Sequence, residues 1–233
     1  MRLGLGLCGF AVALAAALVL GRPFLALLLA PYRMAMRSAG VAMQLQAIEV
    51  AEPFTVYLRA AMLLAVLLSA PWLFYQAWAF VAAGLYRHEQ RLVRTAAPLC
   101  ALLFAAGVLF FLLGVAPLMF RFFLRFNPGV AYLYQPQLSS AVRFTVRLAV
   151  VFGLAFQTPA ALVAAGRMGL VTVEALRQGR KFVFLGVFVA AAAVTPPDVI
   201  SQLALAGPLY AFYELSILLC RPRSAAGSGV GRA

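Results

Sequence analysis

The side chains that could do chemistry in this sequence are few and scattered. It has only six acids and one histidine, and His88 lies beside Glu89 in the charged segment Tyr86–Arg91. The carboxylate of Glu89 can accept a bidentate, charge-assisted pair from an arginine of another molecule. It can equally be neutralised by the arginines of its own segment. Because the six acids are scattered and there is one histidine, the clustered side chains that an enzyme site requires are missing, and we predict no catalytic function and no cofactor.

Two more polar side chains interrupt long apolar stretches. Gln157 lies in the middle of such a stretch, so its amide should face a water-filled cavity or form a hydrogen bond between helices. Glu214 lies where a lone charge costs at least about 2.5 kcal/mol inside a membrane. We therefore expect Glu214 to pair with a polar group of another helix or to remain protonated.

The string Thr195-Pro-Pro-Asp198 separates the last two apolar stretches. Pro196 and Pro197 end a helix and favour a tight turn, and Asp198 can cap the free N–H groups of the next helix. We interpret this motif as structural first and as a partner contact second. The three cysteines (Cys8, Cys100 and Cys220) are far apart and show no metal-binding or redox spacing, so we predict no metal site.

The composition of the chain indicates that these residues lie in a protein embedded in a lipid bilayer. Hydrophobic residues make up 65% of the chain and charged residues 11%, whereas a soluble domain has about 45–50% apolar and about 25% charged residues. The net charge of +13 comes from bases that lie singly between apolar stretches. That arrangement is typical of membrane-flanking residues and not of a nucleic-acid-binding surface.

A spanning helix needs about 20 apolar residues, and six stretches are candidates. We predict an all-α, polytopic fold with one integral membrane domain over residues 1–220 and a disordered cytoplasmic tail over 221–233. A modest excess of bases predicts that both termini are cytoplasmic. The fifth uncharged run, Phe182–Val194, would span only about 20 Å, which predicts a locally thinned bilayer. The predicted helices are about 3–30, 54–83, 92–120, 139–166, 179–194 and 199–219.

Three segments together resemble the TatC family, the signal-peptide receptor of the twin-arginine protein translocase. They are Ala70–Arg91, the string Phe-Gly-Leu-Ala-Phe-Gln-Thr-Pro over 152–159, and Thr-Pro-Pro-Asp-Val-Ile-Ser-Gln over 195–202, and the resemblance covers roughly residues 45–220. It implies six helices in a concave, glove-like arrangement in the cytoplasmic (inner) membrane. It also implies binding of the twin-arginine signal peptides of folded substrates, transport driven by the proton-motive force, TatA and TatB partners, and a homo-oligomeric receptor complex.

The resemblance also implies roles for single residues. Glu89 matches the family position that contacts the signal motif, and Trp78 and Phe80 match a neighbouring patch, although an interfacial aromatic belt explains them equally well. Gln157 stands where the family usually has glutamate on its concave surface. Gln202 falls in the proposed docking region for TatB or TatA, and we group it with Glu214 as an intramembrane partner contact.

The sequence also departs from the family pattern. The family begins with a motif resembling Phe-x-x-His-Leu-x-Glu-Leu-Arg-x-Arg, whereas this sequence has only Met1-Arg2 before its first apolar stretch. We therefore expect an incomplete signal-peptide site, through either a late start or real divergence. The alternative function is a small-molecule secondary transporter. Such proteins often show internal repeats with paired helix breaks, and the breaks near residues 71, 159 and 196 do not pair.

Overall fold

The structure is a computed structural model that describes residues 2–38, 45–82, 90–125, 136–195 and 199–220. Within these ranges every regular element is a helix, apart from a single β-bridge between Gln46 and Gln137. The all-α prediction is therefore confirmed. Glu89, the Pro196–Asp198 motif and the predicted tail over 221–233 lie outside the described residues.

Ten helical elements follow one another along the described chain. A π turn interrupts the third apolar stretch, between two α-helices that it joins into one continuous rod. The elements are α1 (Arg2–Leu28), α2 (Ala30–Ser38), α3 (Glu52–Ala82), α4 (Gln90–Phe110), the π turn (Phe111–Val115), α5 (Ala116–Arg125), α6 (Leu138–Ala155), α7 (Thr158–Arg167), α8 (Val173–Val194) and α9 (Val199–Leu219).

Helical structure extends beyond several of the predicted ends. The first stretch continues into α2, and the third continues through the π turn to Arg125. The fourth stretch, predicted as one helix, is divided at Phe156–Gln157 into α6 and α7. The fifth helix begins at Val173, six residues before the predicted start, because Thr172 accepts a hydrogen bond from Ala175 N (3.2 Å) and caps it.

Five helical segments are long and apolar enough to cross a membrane: 6–38, 52–77, 97–125, 138–166 and 199–219. The sixth long helix, α8, has 22 residues, but its first half carries Glu174, Arg177, Arg180 and Lys181. Its uncharged part is therefore short, as predicted from Phe182–Val194. The chain is a multi-pass membrane protein.

The core lies where α4, the π turn and α6 meet. Phe111 and Phe152 are fully buried, with ring centroids 5.3 Å apart. Between α1 and α3, three small residues (Ala17, Ala61 and Ala65) let the two helices approach closely. Close backbone packing of this kind fixes the positions of the polar side chains within the helix bundle.

Candidate functional site

The predicted site residues fall into two groups in the structure. Trp78 and Phe80 lie in the last turns of α3, directly before the segment that contains Glu89. Gln157, Gln202 and Glu214 lie among the described residues, and each of them makes hydrogen bonds. The structure therefore defines the surroundings of the intramembrane polar residues only.

Gln157 lies at the break between α6 and α7. Its backbone N–H donates to Leu154 O (3.0 Å), three residues back, so the Gly153 carbonyl loses the donor that a regular helix would supply. Pro159, two residues on, provides no N–H either. The helix is interrupted here because the shifted Gln157 N–H and the missing N–H of Pro159 remove two of the usual helical hydrogen bonds.

The side chain of Gln157 uses this break to connect two helices. Its Nε2 donates to Cys100 O of α4 at 2.9 Å and, more weakly, to Gly153 O at 3.4 Å. Its Oε1 is buried and accepts no hydrogen bond from any described residue. The structure therefore shows the interhelical hydrogen bond at Nε2, and it leaves the buried Oε1 without a donor among the described residues.

Two glycines bring α4 and α6 close enough for this bond. A Cβ on Gly107 would lie 2.6 Å from Phe152 O and 2.9 Å from Gly153 Cα. A Cβ on Gly153 would lie 2.6 Å from the Phe104 ring. Because real Cβ atoms essentially never approach this closely, only glycine permits the observed spacing.

Glu214 pairs with a residue of another helix, as we expected from the free-energy cost of a lone charge inside a membrane. Its carboxylate accepts from Arg180 Nη2 of α8 at 2.7 Å and from Tyr210 Oη at 3.0 Å. The next residue back, Tyr213, donates to Leu176 O at 2.6 Å and so joins α9 to α8 a second time. The ion pair and this hydrogen bond together hold the first half of α8 against the second half of α9.

The polar residues do not form one cluster. Gln202 donates to Phe188 O (3.1 Å) near the other end of the α8–α9 pair. It lies 12 residues before Glu214, about 18 Å along the same helix. Next to Gln157, the ring of Phe156 contacts that of Phe212 of α9 at a centroid distance of 4.3 Å. The site is therefore a series of separate polar contacts within an apolar surface.

Sequence reasoning missed Glu52, the most extensively bonded acid in the described chain. It is 2% exposed, and its carboxylate accepts from Ile48 N (2.7 Å), Glu49 N (3.3 Å), Ser139 N (2.7 Å) and Gln137 Nε2 (3.3 Å). It thus satisfies N–H groups in the segment just before α3 and in the first turn of α6. An acid before Pro53 at the start of an apolar run was the only sequence signal for this role.

The described residues offer binding groups and no catalytic centre. They contain no group of three or more His, Cys, Asp or Glu side chains close enough together to hold a metal ion. What they do offer is an amide with an unused acceptor, a charged pair between two helices, and large exposed apolar side chains on α8, including Phe182, Leu185 and Val189. Such a surface suits the binding of other apolar helices.

Comparisons with known proteins agree with this description. The family model of "Sec-independent protein translocase protein (TatC)" matches residues 1–208, so the similarity extends to α1, beyond the range of 45–220 that was inferred from motifs. The Desulforapulum autotrophicum TatC protein is 39% identical over 170 residues, which cover 73% of this chain and 63% of that relative. The Escherichia coli K12 TatC protein is 37% identical over 175 residues, covering 75% and 67%.

Two solved structures have a similar fold. One crystal structure, described as the twin-arginine translocase receptor TatC in DDM, has a TM-score of 0.83 at 27% identity and covers 95% of this chain and 96% of that one. A second crystal structure of the receptor has a TM-score of 0.78 at 28% identity, covering 94% of each chain. The matches are to a family of translocase proteins and not of enzymes, and they give no support to a small-molecule transporter. The aligned region spans slightly less than two thirds of the D. autotrophicum relative.

Proposed function

Because this chain belongs to the TatC family of Sec-independent protein translocase proteins, we propose that it is the receptor subunit of a twin-arginine translocase. It binds the twin-arginine signal peptides of folded proteins and helps to export those proteins, using the proton-motive force. The observation that carries this proposal is the similarity to solved twin-arginine translocase receptors over 95% of the chain.

The proposed receptor site lies at the cytoplasmic side, in the segment after α3. Glu89 supplies a carboxylate for an arginine of the signal peptide, since a guanidinium and a carboxylate form a bidentate, charge-assisted pair. Trp78 and Phe80 of α3 supply aromatic surface next to it. The bilayer that holds the receptor is the cytoplasmic (inner) membrane.

Gln157 gives the proposed site an intramembrane part. Its buried Oε1 has no donor among the described residues, so a polar group of an inserted signal peptide can satisfy it. The Nε2 is already bonded to Cys100 O, which keeps the amide in a fixed orientation. An uncharged amide here means that binding at this position needs no ionised group.

The partners proposed for this chain are TatA- and TatB-type membrane proteins and further copies of the chain itself. Gln202 and Glu214 lie near opposite ends of α9, beside the exposed apolar side chains of α8. A single-span partner helix lying along this surface would pass both residues. Photo-crosslinkers at positions 203 and 215 should capture such a partner, whereas one at the buried position 205 should not.

Site-specific crosslinking to a twin-arginine peptide tests the receptor role. The Glu89→Gln variant is expected to lose most of the crosslink, because the amide cannot form the charge-assisted pair. Glu174→Gln is the matched control, since Glu174 is an exposed acid in the first turn of α8. A peptide with two lysines should crosslink weakly to every variant. Full crosslinking by Glu89→Gln would contradict the role of this residue, and failure to restore export in a TatC-deficient strain would contradict the function.

A further inference from the structure

Three arginines lie below the joined starts of α3 and α6. The carboxylate of Glu52 accepts from Ser139 N at 2.7 Å, and this bond fixes the two helix starts against each other. Arg59 comes seven residues after Glu52, whereas Arg143 and Arg147 come four and eight residues after Ser139. Both helices descend from the exterior side by about 1.5 Å per residue. The backbones of the three arginines therefore lie within about 6 Å of one another in depth.

The three arginines also lie on one side of the contact between α3 and α6. At about 100° per residue, Arg59 is rotated by about −20° from Glu52. Arg143 and Arg147 are rotated by about +40° and +80° from Ser139. Because two parallel right-handed helices face each other, a negative rotation on α3 and a positive rotation on α6 lead to the same side. The arginines of both helices therefore converge on one surface.

The burial of neighbouring side chains shows that this surface faces outward from the helix bundle. Met62 of α3 is 50% exposed and Leu154 of α6 is 57% exposed, and both arginines of α6 are exposed as well. On the opposite side of the contact, Val56 of α3 and Val142 of α6 are fully buried. We call the outward surface the α3–α6 face. It consists of Arg59, Met62, Arg143, Arg147 and Leu154.

The charges of the α3–α6 face form no ion pair with any described acid. Arg59 is partly buried, and its Nη1 is buried without a hydrogen-bond acceptor among the described residues. Arg143 and Arg147 are one turn apart, where like charges repel each other. The carboxylate of Glu52, two turns above Arg59, already accepts from four donors. These three cations therefore need an anion from outside the described chain.

The arginines lie close to the exterior boundary of the hydrocarbon core. Arg2 and Arg22 bound the apolar part of α1, which rises about 30 Å between them, and this is the thickness of the core. A Cβ on Gly21 would lie 2.8 Å from the Tyr57 ring, so α1 and α3 touch at this level. Arg59 comes two residues after Tyr57, about 3 Å inside the boundary. A long arginine side chain reaches the headgroups from such a depth.

Below the arginines, the α3–α6 face is apolar over about one lipid leaflet. From Arg143 to Leu154, α6 descends about 16 Å, which is about half the thickness of the hydrocarbon core. Met62 and the partly exposed Val150 lie within this interval. The apolar surface ends where α6 is interrupted at Phe156–Gln157. A headgroup held by the arginines can therefore continue into acyl chains that lie deeper on the same face.

We propose that the α3–α6 face binds an anionic phospholipid of the exterior leaflet. The phosphodiester accepts hydrogen bonds from Arg59 on α3 and from Arg143 and Arg147 on α6, because guanidinium forks match phosphate oxygens. The acyl chains extend from there toward the bilayer centre, over Met62 and Leu154. The length of this apolar surface matches an acyl chain, which favours lipid over a carboxylate from another protein. The proposal does not depend on the translocase function.

Lipid-dependent stability of the purified, delipidated full chain tests the proposal. Phosphatidylglycerol should raise the Tm more than phosphatidylcholine with the same acyl chains, and glycerol phosphate should have little effect. Each arginine near a headgroup contributes about fivefold to binding. Arg59→Gln and Arg143→Gln should therefore each weaken the apparent affinity for phosphatidylglycerol by about fivefold, and the double variant by about 25-fold. Arg22→Gln/Arg37→Gln removes the same charge from exposed positions on α1 and α2, and it should keep the wild-type affinity.

Each outcome supports or overturns the proposal. Equal effects of the two lipids, or an unchanged affinity in the Arg59→Gln/Arg143→Gln variant, would overturn it. An effect of Arg143→Gln without one of Arg59→Gln would refute a site shared by two helices, and glycerol phosphate binding as tightly as the lipid would refute the role of the apolar surface.

Native mass spectrometry of the wild-type protein decides if the double variant fails to fold. Retained phosphatidylglycerol supports the site, and equal retention of phosphatidylcholine refutes it. Loss of a bound protein through the double variant, with no lipid preference, would overturn the proposal and assign the arginines to a protein partner instead.

Discussion

Adding one methyl group at Gly107 should separate α4 from α6. The Cβ of Gly107→Ala would lie 2.6 Å from Phe152 O, a backbone atom that cannot rotate away, whereas ordinary contact begins at 3.4 Å. The two helices must therefore separate by about 0.8 Å at this point. The same displacement would lengthen the bond from Gln157 Nε2 to Cys100 O from 2.9 Å. At about 3.7 Å it would no longer be a hydrogen bond.

Three energy terms give the expected size of the effect. Overpacking costs about 1–3 kcal/mol, and the lost interhelical hydrogen bond costs about 0.5–1.5 kcal/mol. Alanine recovers up to about 1 kcal/mol of helix propensity relative to glycine. The net destabilisation is about 2 kcal/mol, which lowers the Tm of a chain of this size by about 4–8 °C.

Thermal unfolding of the detergent-purified protein measures this difference. Gly186→Ala in α8 is the matched control, because a Cβ there meets nothing within 4 Å; it should leave the Tm unchanged or raise it slightly. Gly114→Ala, on the same helical rod as Gly107, meets nothing either. If Gly107→Ala unfolded at the same temperature as these controls, the close approach of α4 and α6 would not limit the packing, and the reasoning would be refuted.

Two further predictions concern the acids that lie inside the structure. Glu52→Ala should lower the Tm by several degrees, because it leaves three N–H groups and an amide without their acceptor. The control variant Glu49→Ala changes an exposed neighbouring acid and should keep the wild-type Tm. Equal Tm values for the two variants would contradict the role of Glu52 at the two helix starts. Arg180→Leu alone should destabilise the protein more than Arg180→Leu/Glu214→Leu, since the single change leaves a carboxylate unpaired. A double-mutant cycle on Tm measures this coupling, and purely additive effects would show that the pair contributes nothing.

The apolar stretches were predicted well because their signal is local. About 20 consecutive apolar residues are sufficient evidence of a membrane helix, and α9 has the predicted bounds. The start of α8 was placed too late because Glu174 and Arg177 were interpreted as part of a charged loop before residue 179. In the structure these residues lie in the first half of the helix, and Arg180 meets Glu214. Charge alone could not distinguish a loop from a helix whose cations have partners elsewhere.

The polar contacts were harder to predict because they join distant parts of the chain. That Glu214 would need a partner followed from the cost of a lone charge in a membrane, but nothing in the sequence identified Arg180. Glu52 and Ser139 are 87 residues apart in the chain, so only the assembled bundle shows that one carboxylate serves two helices. The division at Phe156–Gln157 needed the backbone itself, although Pro159 indicated a distortion nearby.

The contacts of Glu52 have a consequence for the order of membrane insertion. The chain is synthesised from its N-terminus, so Glu52 is made 87 residues before Ser139. Until Gln137 and Ser139 have been made, only two of its four donors exist, the Ile48 and Glu49 N–H groups. It acquires Gln137 and Ser139 when α6 enters the bilayer. Completion of this network therefore requires that the segments before α3 and α6 lie on the same side of the membrane, and it joins the two helix starts.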